Sequence, residues 1–112
     1  MIRMRLIPSN KVCEEFYLTY ELEGAHKAVD LLSRYYDIRS MEIVVDGRKV
    51  GNNDKACYDE NVAYFKKRWL NKRNVLHEFY HHLAYVFELG TSDIREEREA
   101  NRYSRIVMGK RR

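Results

Sequence analysis

One segment of this 112-residue chain is far more apolar than the rest, and it constrains the fold more than any other feature. Between residues 72 and 89 the apolar side chains recur at three- and four-residue intervals, the spacing of a helix buried on most of its surface. Asn71 or Asn74 can cap the start of this helix, and Gly90 is suited to end it. A chain of this size can bury one modest core, so the helix must lie in that core. Its apolar positions are Val75, Leu76, Phe79, Tyr80, Leu83, Ala84, Val86 and Phe87.

Two further helical regions are expected, one in the first third of the chain and one near its end. The first spans about residues 9–38, where apolar residues follow a helical period that is interrupted near Gly24. The second begins at Thr91-Ser92-Asp93, a group that can cap it, and Asp93 with Glu96 three residues later resembles a capping box. We expect this last helix to run to about Met108.

Between the helices the sequence period changes to that of strands. Met41–Val45 is short and β-branched, and the turn signal Asp46-Gly47 closes it. Ala56–Tyr58 and Val62–Phe65 have the pattern of a hairpin. The sequence therefore predicts a single α+β domain over residues 1–112, with an N-terminal helical region, a small sheet of about three strands, and two final helices.

Composition and charge exclude several classes of protein. With 45% apolar and 34% charged residues, the chain is of ordinary globular composition. It has no apolar run long enough for a membrane span and no signal peptide, so we expect a cytoplasmic protein. The net charge of +4 owes much to a basic tail at residues 108–112, and because no helix has a one-sided basic stripe, nucleic-acid binding is not favoured. Cys13 and Cys57 lie far apart and outside any zinc-ribbon spacing, which predicts two free thiols.

The central helix contains the pattern HExxH, formed by His77, Glu78 and His81. Residues four apart lie one turn above each other on a helix, so both histidines can direct a ring nitrogen at one metal ion. Glu78 lies beside that ion without being a ligand, where it can act as general base on a water molecule that zinc activates. The competing interpretation is a surface helix with two unrelated histidines. The apolar flanks argue against it, because unpartnered imidazoles are costly in a core.

The other two histidines do not fit this pattern. His82 is about a hundred degrees around the helix from His81 and pairs with neither ligand, so we expect it beside the site or at the surface. His26 has no companion in sequence and is expected to be structural.

A catalytic zinc ion needs a third protein ligand and an open fourth position. Asp93, Glu96, Glu97 and Glu99 of the last helix are the candidates. When the two last helices fold back antiparallel, His81 and Glu97 are at similar distances from the turn at Gly90. Glu97 also has the small Ala100 on its side of the helix, which permits close packing. Glu97 is therefore the predicted third ligand, and Asn101, one turn further on, is placed to hydrogen-bond a ligating histidine.

HExxH followed by Glu97-Arg98-Glu99-Ala100-Asn101-Arg102-Tyr103-Ser104 resembles the gluzincin peptidases, in which the third ligand begins an ExxA or ExxS motif. The likeness is greatest to ImmA/IrrE-type peptidases, with their E-x-E-A-N-x-F-A pattern, and to minimal gluzincins (minigluzincins) of about this length. The resemblance implies a zincin-like fold with an active-site helix and a glutamate helix. It implies His77, His81 and Glu97 as zinc ligands, Glu78 as base and Asn101 as a supporting residue, in a zinc-dependent endopeptidase that acts on peptides or proteins.

The sequence departs from the family pattern at two points. Tyr80 precedes the second ligand histidine, where many relatives have glycine. Larger gluzincins also bring a His or Tyr from a separate domain to stabilise the oxyanion, and this chain has no such domain. Tyr58 and Tyr103 are the weak candidates for contact with substrate at that point.

Two questions of function are open at this stage. The strand at Cys57-Tyr58 or the strand at 62–64 can accept an extended peptide at its edge, but an edge covered by residues 1–9 agrees equally well with the sequence. If that segment or the basic tail blocks the cleft, the enzyme is latent. The alternative to a peptidase is a zinc-stabilised binding or regulatory module that has lost turnover.

Overall fold

The computed structural model describes residues 6–110, and these form four α-helices and one three-stranded sheet. The helices are α1 (Asn10–Glu23), α2 (Ala25–Tyr36), α3 (Lys72–Val86) and α4 (Asp93–Gly109), and the strands are β1 (Glu42–Val45), β2 (Ala56–Asp59) and β3 (Val62–Phe65). The predicted α+β class and order of elements are therefore confirmed. None of the helices within 6–110 has the length and apolar character that a membrane span requires.

The two N-terminal helices form one antiparallel unit. Ser9 caps α1 by accepting a hydrogen bond from the backbone N–H of Val12. Gly24 separates the helices at a φ of 96°, a conformation that L side chains rarely adopt, which explains the interruption in the helical pattern. In the described part of the N-terminal segment, Leu6 and Ile7 are buried in the core. Residues 1–5 lie outside the described part, so a sheet edge covered by residues 1–9 stays a prediction.

The sheet has the order β1-β3-β2, so β2 is an edge strand and β3 is central. β2 and β3 form the predicted antiparallel hairpin, whose turn residues Glu60 and Asn61 both have positive φ. β1 pairs parallel with β3, an arrangement that sequence period cannot show. Because both edges of β3 are occupied, the expectation that 62–64 could accept a peptide is wrong. β1 and β2 each have one edge free of strand partners within the described sheet.

Helix α3 is the core helix that the sequence predicts. Asn71, not Asn74, caps its start, through a hydrogen bond from the Asn74 backbone N–H to the Asn71 side chain. Eight of its residues are buried, more than in any other helix of the described chain, so its surroundings are protein on most sides.

The end of α3 differs from the prediction. The helix stops at Val86, three residues before the expected Leu89, and Glu88 rather than Gly90 takes the first left-handed position, with a φ of 51°. The N–H of Glu88 bonds the carbonyl of Tyr85 and the N–H of Leu89 bonds that of Ala84, which is the Schellman arrangement. The reason is tertiary: the early stop lets Leu89 pack against the core.

Helix α4 starts where expected, and Ser92 is the residue of the predicted capping group that caps it. The Ser92 side chain accepts from the backbone N–H of Arg95, so Asp93 is the first helical residue and the predicted capping box of Asp93 with Glu96 is wrong. Glu96 does not bond back to the helix start because its carboxylate faces α3 instead. Ala100 is fully buried where α3 and α4 meet, as its small size predicts.

Tyr80 and Tyr103 are both part of the core between these helices. Each is buried, and their rings pack with centroids 5.6 Å apart. The Tyr80 hydroxyl donates to the buried carboxylate of Glu99 at 2.8 Å. Burial alone would raise the pKa of Glu99, but the donors around it, with Tyr80 foremost, outweigh that effect and lower the pKa. The ring of Tyr80 thus has space in the packing between α3 and α4.

The strain at Glu88 gives a first prediction. A non-glycine residue in the left-handed region costs on the order of 1 kcal/mol relative to glycine. We expect Glu88→Gly to raise the free energy of unfolding by about 0.5–1 kcal/mol, seen as a higher midpoint in urea unfolding.

Gly90→Ala is the opposite control, since Gly90 has a φ of 68° and an alanine there should lower the midpoint. An unchanged or lower midpoint for Glu88→Gly would contradict the proposed strain at the end of α3.

Candidate metal centre

Helices α3 and α4 bring three predicted ligands to one point. His77 Nε2 lies 3.1 Å from one oxygen of Glu97, and His81 Nε2 lies 2.8 Å from the other. The ligand atoms of the three residues all lie within 4.8 Å of one another. These residues could hold a metal ion, and in the part of the chain that the structure describes they are the one such group.

The donor set and its spacing suit a tetrahedral ion. Two imidazole nitrogens and one carboxylate oxygen are typical ligands of divalent first-row transition metals. Metal–ligand distances near 2.0 Å place neighbouring ligand atoms about 3.3 Å apart. The two nitrogens lie 3.1 and 2.8 Å from different oxygens of Glu97, and one ligand atom from each residue lies within 4.8 Å of the others, so side-chain movements would bring all three to one ion.

His81 is held from both sides by carboxylates. Its Nδ1 lies 2.5 Å from Glu96, and its Nε2 contacts Glu97. Because ionised carboxylates only accept hydrogen bonds, both ring nitrogens of His81 act as donors in these two contacts. Burial opposes the charged ring, but the hydrogen bond to Glu96 and the surrounding negative charges outweigh it and raise the pKa of His81. A metal ion at Nε2 would take the place of that proton.

His77 has a different balance. Burial lowers its pKa, and the nearby Glu97 charge offsets only part of the effect. Asn101 lines the same cleft as His77 and lies near enough to act against the lowering of its pKa, on the side of α4 where its place in the helix predicts it. A neutral His77 is ready to ligate without first losing a proton.

Glu78 lies beside the three ligands and is 93% buried, since only 7% of its surface is exposed. One of its oxygens is 4.0 Å from His77 Nε2, close to the cluster but outside it. The Glu78 side chain lines the cleft and keeps 9% of its surface exposed there. Burial raises the pKa of Glu78 to about 7, with the His81 charge opposing and the Glu97 charge adding to the rise.

The cluster lies in a cleft of about 590 Å³ between the sheet edge and the two last helices. Residues 53–58, which include most of β2, form one wall, and α3 and α4 form the other. The edge strand therefore runs alongside the candidate metal ligands. Both cysteines of the chain are free, as predicted, and Cys57 lines this cleft.

Tyr58 lines the cleft with its ring, but its hydroxyl is engaged elsewhere. The hydroxyl lies 2.7 Å from His82 Nδ1 and accepts a hydrogen bond from the backbone N–H of Asn61 at 2.8 Å. His82 Nε2 faces the carbonyl of Arg39 and must donate to it, so Nδ1 accepts from Tyr58. The hydroxyl is thus both donor and acceptor within the fold, and it is not a free donor for substrate. Burial also raises the pKa of Tyr58 to about 12.

The same contacts correct the prediction for His82. It is fully buried, neither at the surface nor among the candidate ligands, and it joins β2 and the segment before β1 to α3. Burial lowers its pKa, which agrees with a neutral ring that donates from one nitrogen only. His26 has a structural contact, as expected, at 3.2 Å from the carbonyl of Ile43.

Tyr103 is not in the cleft. It is fully buried and its hydroxyl lies 2.8 Å from that of Tyr36. The expectation that Tyr103 contacts substrate is therefore wrong, because its position on α4 faces the core beside Tyr80 rather than the metal site. Glu96 is the site residue that sequence reasoning missed as a partner of His81. It had been weighed only as a ligand, although a carboxylate beside Glu97 can also hold the second nitrogen of a histidine.

Comparison of the chain with protein-family models, with curated proteins and with solved structures gives no match. The assignment of the site therefore depends on the geometry of this cluster and on the sequence motif.

The cluster predicts that each chain binds one divalent metal ion. We expect near-stoichiometric metal in the protein purified without chelator and its loss in His77→Ala, His81→Ala and Glu97→Ala, since each removes a ligand. Metal content is measured by atomic emission. His26→Ala is the control histidine and should keep its metal; equal loss in that variant would show that the effect is not local.

The contact of Glu96 with His81 predicts a graded effect. Glu96→Gln removes the charge that orients the ring, so affinity for Zn²⁺ should fall by about 10–100-fold without loss of the site. Competition with a chromophoric chelator measures the affinity.

Asp93→Asn removes the same charge from the same cleft, at a residue that contacts neither histidine in the described structure. It should change affinity far less. Equal losses in the two variants would mean that Glu96 acts only through the overall charge of the cleft.

Proposed function

We propose that this chain is a zinc-dependent endopeptidase in which Glu78 is the general base. The ligand set His77, His81 and Glu97 supports zinc, because zinc sites of this kind leave a fourth position for the reaction. Bound there, zinc would supply Lewis acidity that polarises the scissile carbonyl and makes a water molecule easier to deprotonate.

The observation that carries the proposal is the environment of Glu78. A carboxylate that is 93% buried and lies 4.0 Å from a candidate ligand nitrogen costs free energy to keep ionised, and such groups cluster at functional sites. In a metal site that served only structure, an acid beside the open position would have no use. Beside a bound cation its pKa falls below the metal-free value of about 7. Glu78 would then be ionised near neutral pH, the form that accepts a proton.

The role of Glu78 in the reaction follows from its position. One carboxylate oxygen of Glu78 takes a proton from the attacking water as the water oxygen bonds to the carbonyl carbon of the peptide. The same carboxyl group then gives that proton to the leaving amide nitrogen as the C–N bond breaks. Glu78 can act in both steps because it lies 4.0 Å from a ligand nitrogen without belonging to the ligand set.

The wall formed by β2 supports a peptide substrate. An extended peptide can add to the free edge of a strand through main-chain hydrogen bonds, largely independent of its side chains. β2 has that free edge and lines the cleft. A peptide bound in this way is held along its length rather than at a terminus, which favours an endopeptidase.

One observation favours the alternative, a zinc-stabilised module without turnover. The hydroxyl of Tyr58 is engaged with His82 and Tyr103 is buried away from the cleft, so neither predicted tyrosine donates to an oxyanion. Stabilisation of the oxyanion would then depend mainly on the metal, and turnover would be slow.

The two functions are separated by Glu78→Gln. If the chain is a peptidase, this variant should retain one zinc per chain and lose at least about 100-fold in the rate of cleavage of an unfolded protein substrate. Cleavage is followed by mass spectrometry of the products, which also distinguishes internal cleavage from trimming of the ends.

Wild-type protein that is fully loaded with zinc and cleaves no faster than Glu78→Gln would overturn the peptidase and leave the binding module. If Glu78→Gln lost its zinc, a lower rate would reflect the missing metal rather than the missing base. Zinc is therefore measured on the same samples.

A further inference from the structure

A second groove opens from the cleft on the side away from α4's first turn. It has a volume of about 660 Å³, and we name it the Trp69 groove after Tyr17, Lys55, Trp69, Lys72 and Arg73, which line it. Lys55, Asn74 and Asn101 line both this groove and the cleft. The two are therefore continuous, and a chain bound across the candidate metal site can extend into the groove.

Cations stacked on aromatic rings characterise the Trp69 groove. The Lys55 ammonium lies 4.5 Å from the centre of the Trp69 ring, and the Arg68 guanidinium lies 5.3 Å from it. The Lys72 ammonium lies 4.5 Å from the centre of the Tyr17 ring. Such contacts hold flexible side chains in place, so a bound anion meets cations that have already lost part of their freedom.

Of the three cations that line the groove, Lys55 and Arg73 are available to a ligand. Lys72 forms an ion pair with Glu21, but Lys55 and Arg73 are exposed and form no ion pair with any residue in 6–110. No acidic residue of the described chain lines the groove. The cleft, in contrast, is lined by five: Asp54, Glu78, Asp93, Glu96 and Glu97. The continuous channel is thus acidic around the metal ligands and basic at its Trp69 end.

We propose that the Trp69 groove binds a carboxylate of the peptide that lies in the cleft, and so selects substrates with an acidic group on that side of the scissile bond. The inference rests on the proposed function, because it treats the groove as part of one substrate channel. An ionised carboxylate accepts charge-assisted hydrogen bonds from Lys55 and Arg73, and the aromatic rings pack against the adjoining apolar part of the chain.

The charge of the whole channel favours a peptide over a nucleic acid. Nucleic-acid binding draws its affinity from many phosphate contacts to cations, and the groove offers two unpaired cations within the described chain. Its continuation past Asp54 and Glu78 would repel a second and third phosphate. A single carboxylate followed by a neutral backbone avoids that repulsion.

The carboxylate can belong to an Asp or Glu side chain or to the C-terminus of the peptide. Both sources share the chemistry that the groove recognises, and peptides with a free or an amidated C-terminus distinguish them.

Trp69 permits a direct test, since it is the only tryptophan of the chain. The zinc-loaded Glu78→Gln variant, which holds peptide without cleaving it, is titrated with decapeptides that lack Trp and Tyr, and the emission of Trp69 is recorded. One peptide contains a Glu pair near one end and is blocked at both termini; a second has Gln in place of Glu; a third has Gln and a free C-terminus. We expect a shift in emission and at least about fivefold tighter binding for a carboxylate-bearing peptide than for the blocked Gln peptide.

Matched variants show whether the groove is responsible. Lys55→Gln and Arg73→Gln, each made in the Glu78→Gln background, should weaken binding of the Glu peptide by about threefold each and leave the Gln peptide unaffected. Lys27→Gln removes the same charge from α2, outside the groove, and should change neither affinity.

Equal affinity for the carboxylate-bearing and blocked Gln peptides, or an equal loss in Lys27→Gln, would overturn the inference. So would tighter binding of a single-stranded oligonucleotide of similar length, which would assign the groove to nucleic acid. Because fluorescence reports binding without turnover, failure of the peptidase would appear as absence of cleavage by the wild type while the carboxylate preference persisted.

Discussion

The antiparallel contact of α3 with α4 is the interaction on which the site depends. The connection of residues 87–92 is short, and its course is set by the left-handed Glu88 at one end and the Ser92 cap at the other. Ala100 is fully buried at the contact, so the helix backbones can approach closely. This register brings Glu97 opposite both His77 and His81. A slip of one residue along α4 would turn Glu97 by about a hundred degrees and disperse the cluster.

The cluster also carries an electrostatic cost that a metal ion would relieve. Glu78, Glu96 and Glu97 lie close together around His81, and burial raises the pKa of Glu78. Bringing like charges into a partly buried cleft destabilises the folded chain, whereas an ion that binds only the folded state stabilises it. In a chain with one small core this coupling matters more than in a larger protein. The geometry proposed for catalysis and the dependence of stability on metal that we expect thus have one physical origin.

Different interactions hold the side chains of the candidate metal site and those of the Trp69 groove in place. Around the candidate metal ligands, carboxylates and imidazoles hold each other through short hydrogen bonds. At the other end of the channel, Lys55 and Lys72 are held over aromatic rings. The first arrangement suits a cation and the second an anion. Their continuity past Asn74 and Asn101 makes the channel polar along its length, as a substrate of defined direction requires.

The sequence by itself determined the α+β class, the helix boundaries marked by Ser9 and Gly24, and the group His77, His81 and Glu97, but it left the cap of α3 open between Asn71 and Asn74. These follow from local rules: helical period, capping chemistry and the distance of each residue from one turn. The identity of the cap of α4, the early stop of α3 at Val86 and the parallel pairing of β1 with β3 were decided by packing, which local pattern does not contain.

Only the tertiary structure decided which polar groups lie buried together. Glu96 faces His81, the hydroxyl of Tyr58 is taken by His82, and Tyr103 turns into the core; each depends on residues more than ten positions away in the chain. Lys55 and Trp69 likewise meet only because β2 and the segment before α3 converge beside the cleft. Sequence spacing predicts which residues share a helix face, but whether a side chain meets a ligand, a partner or the core depends on what the fold places opposite it.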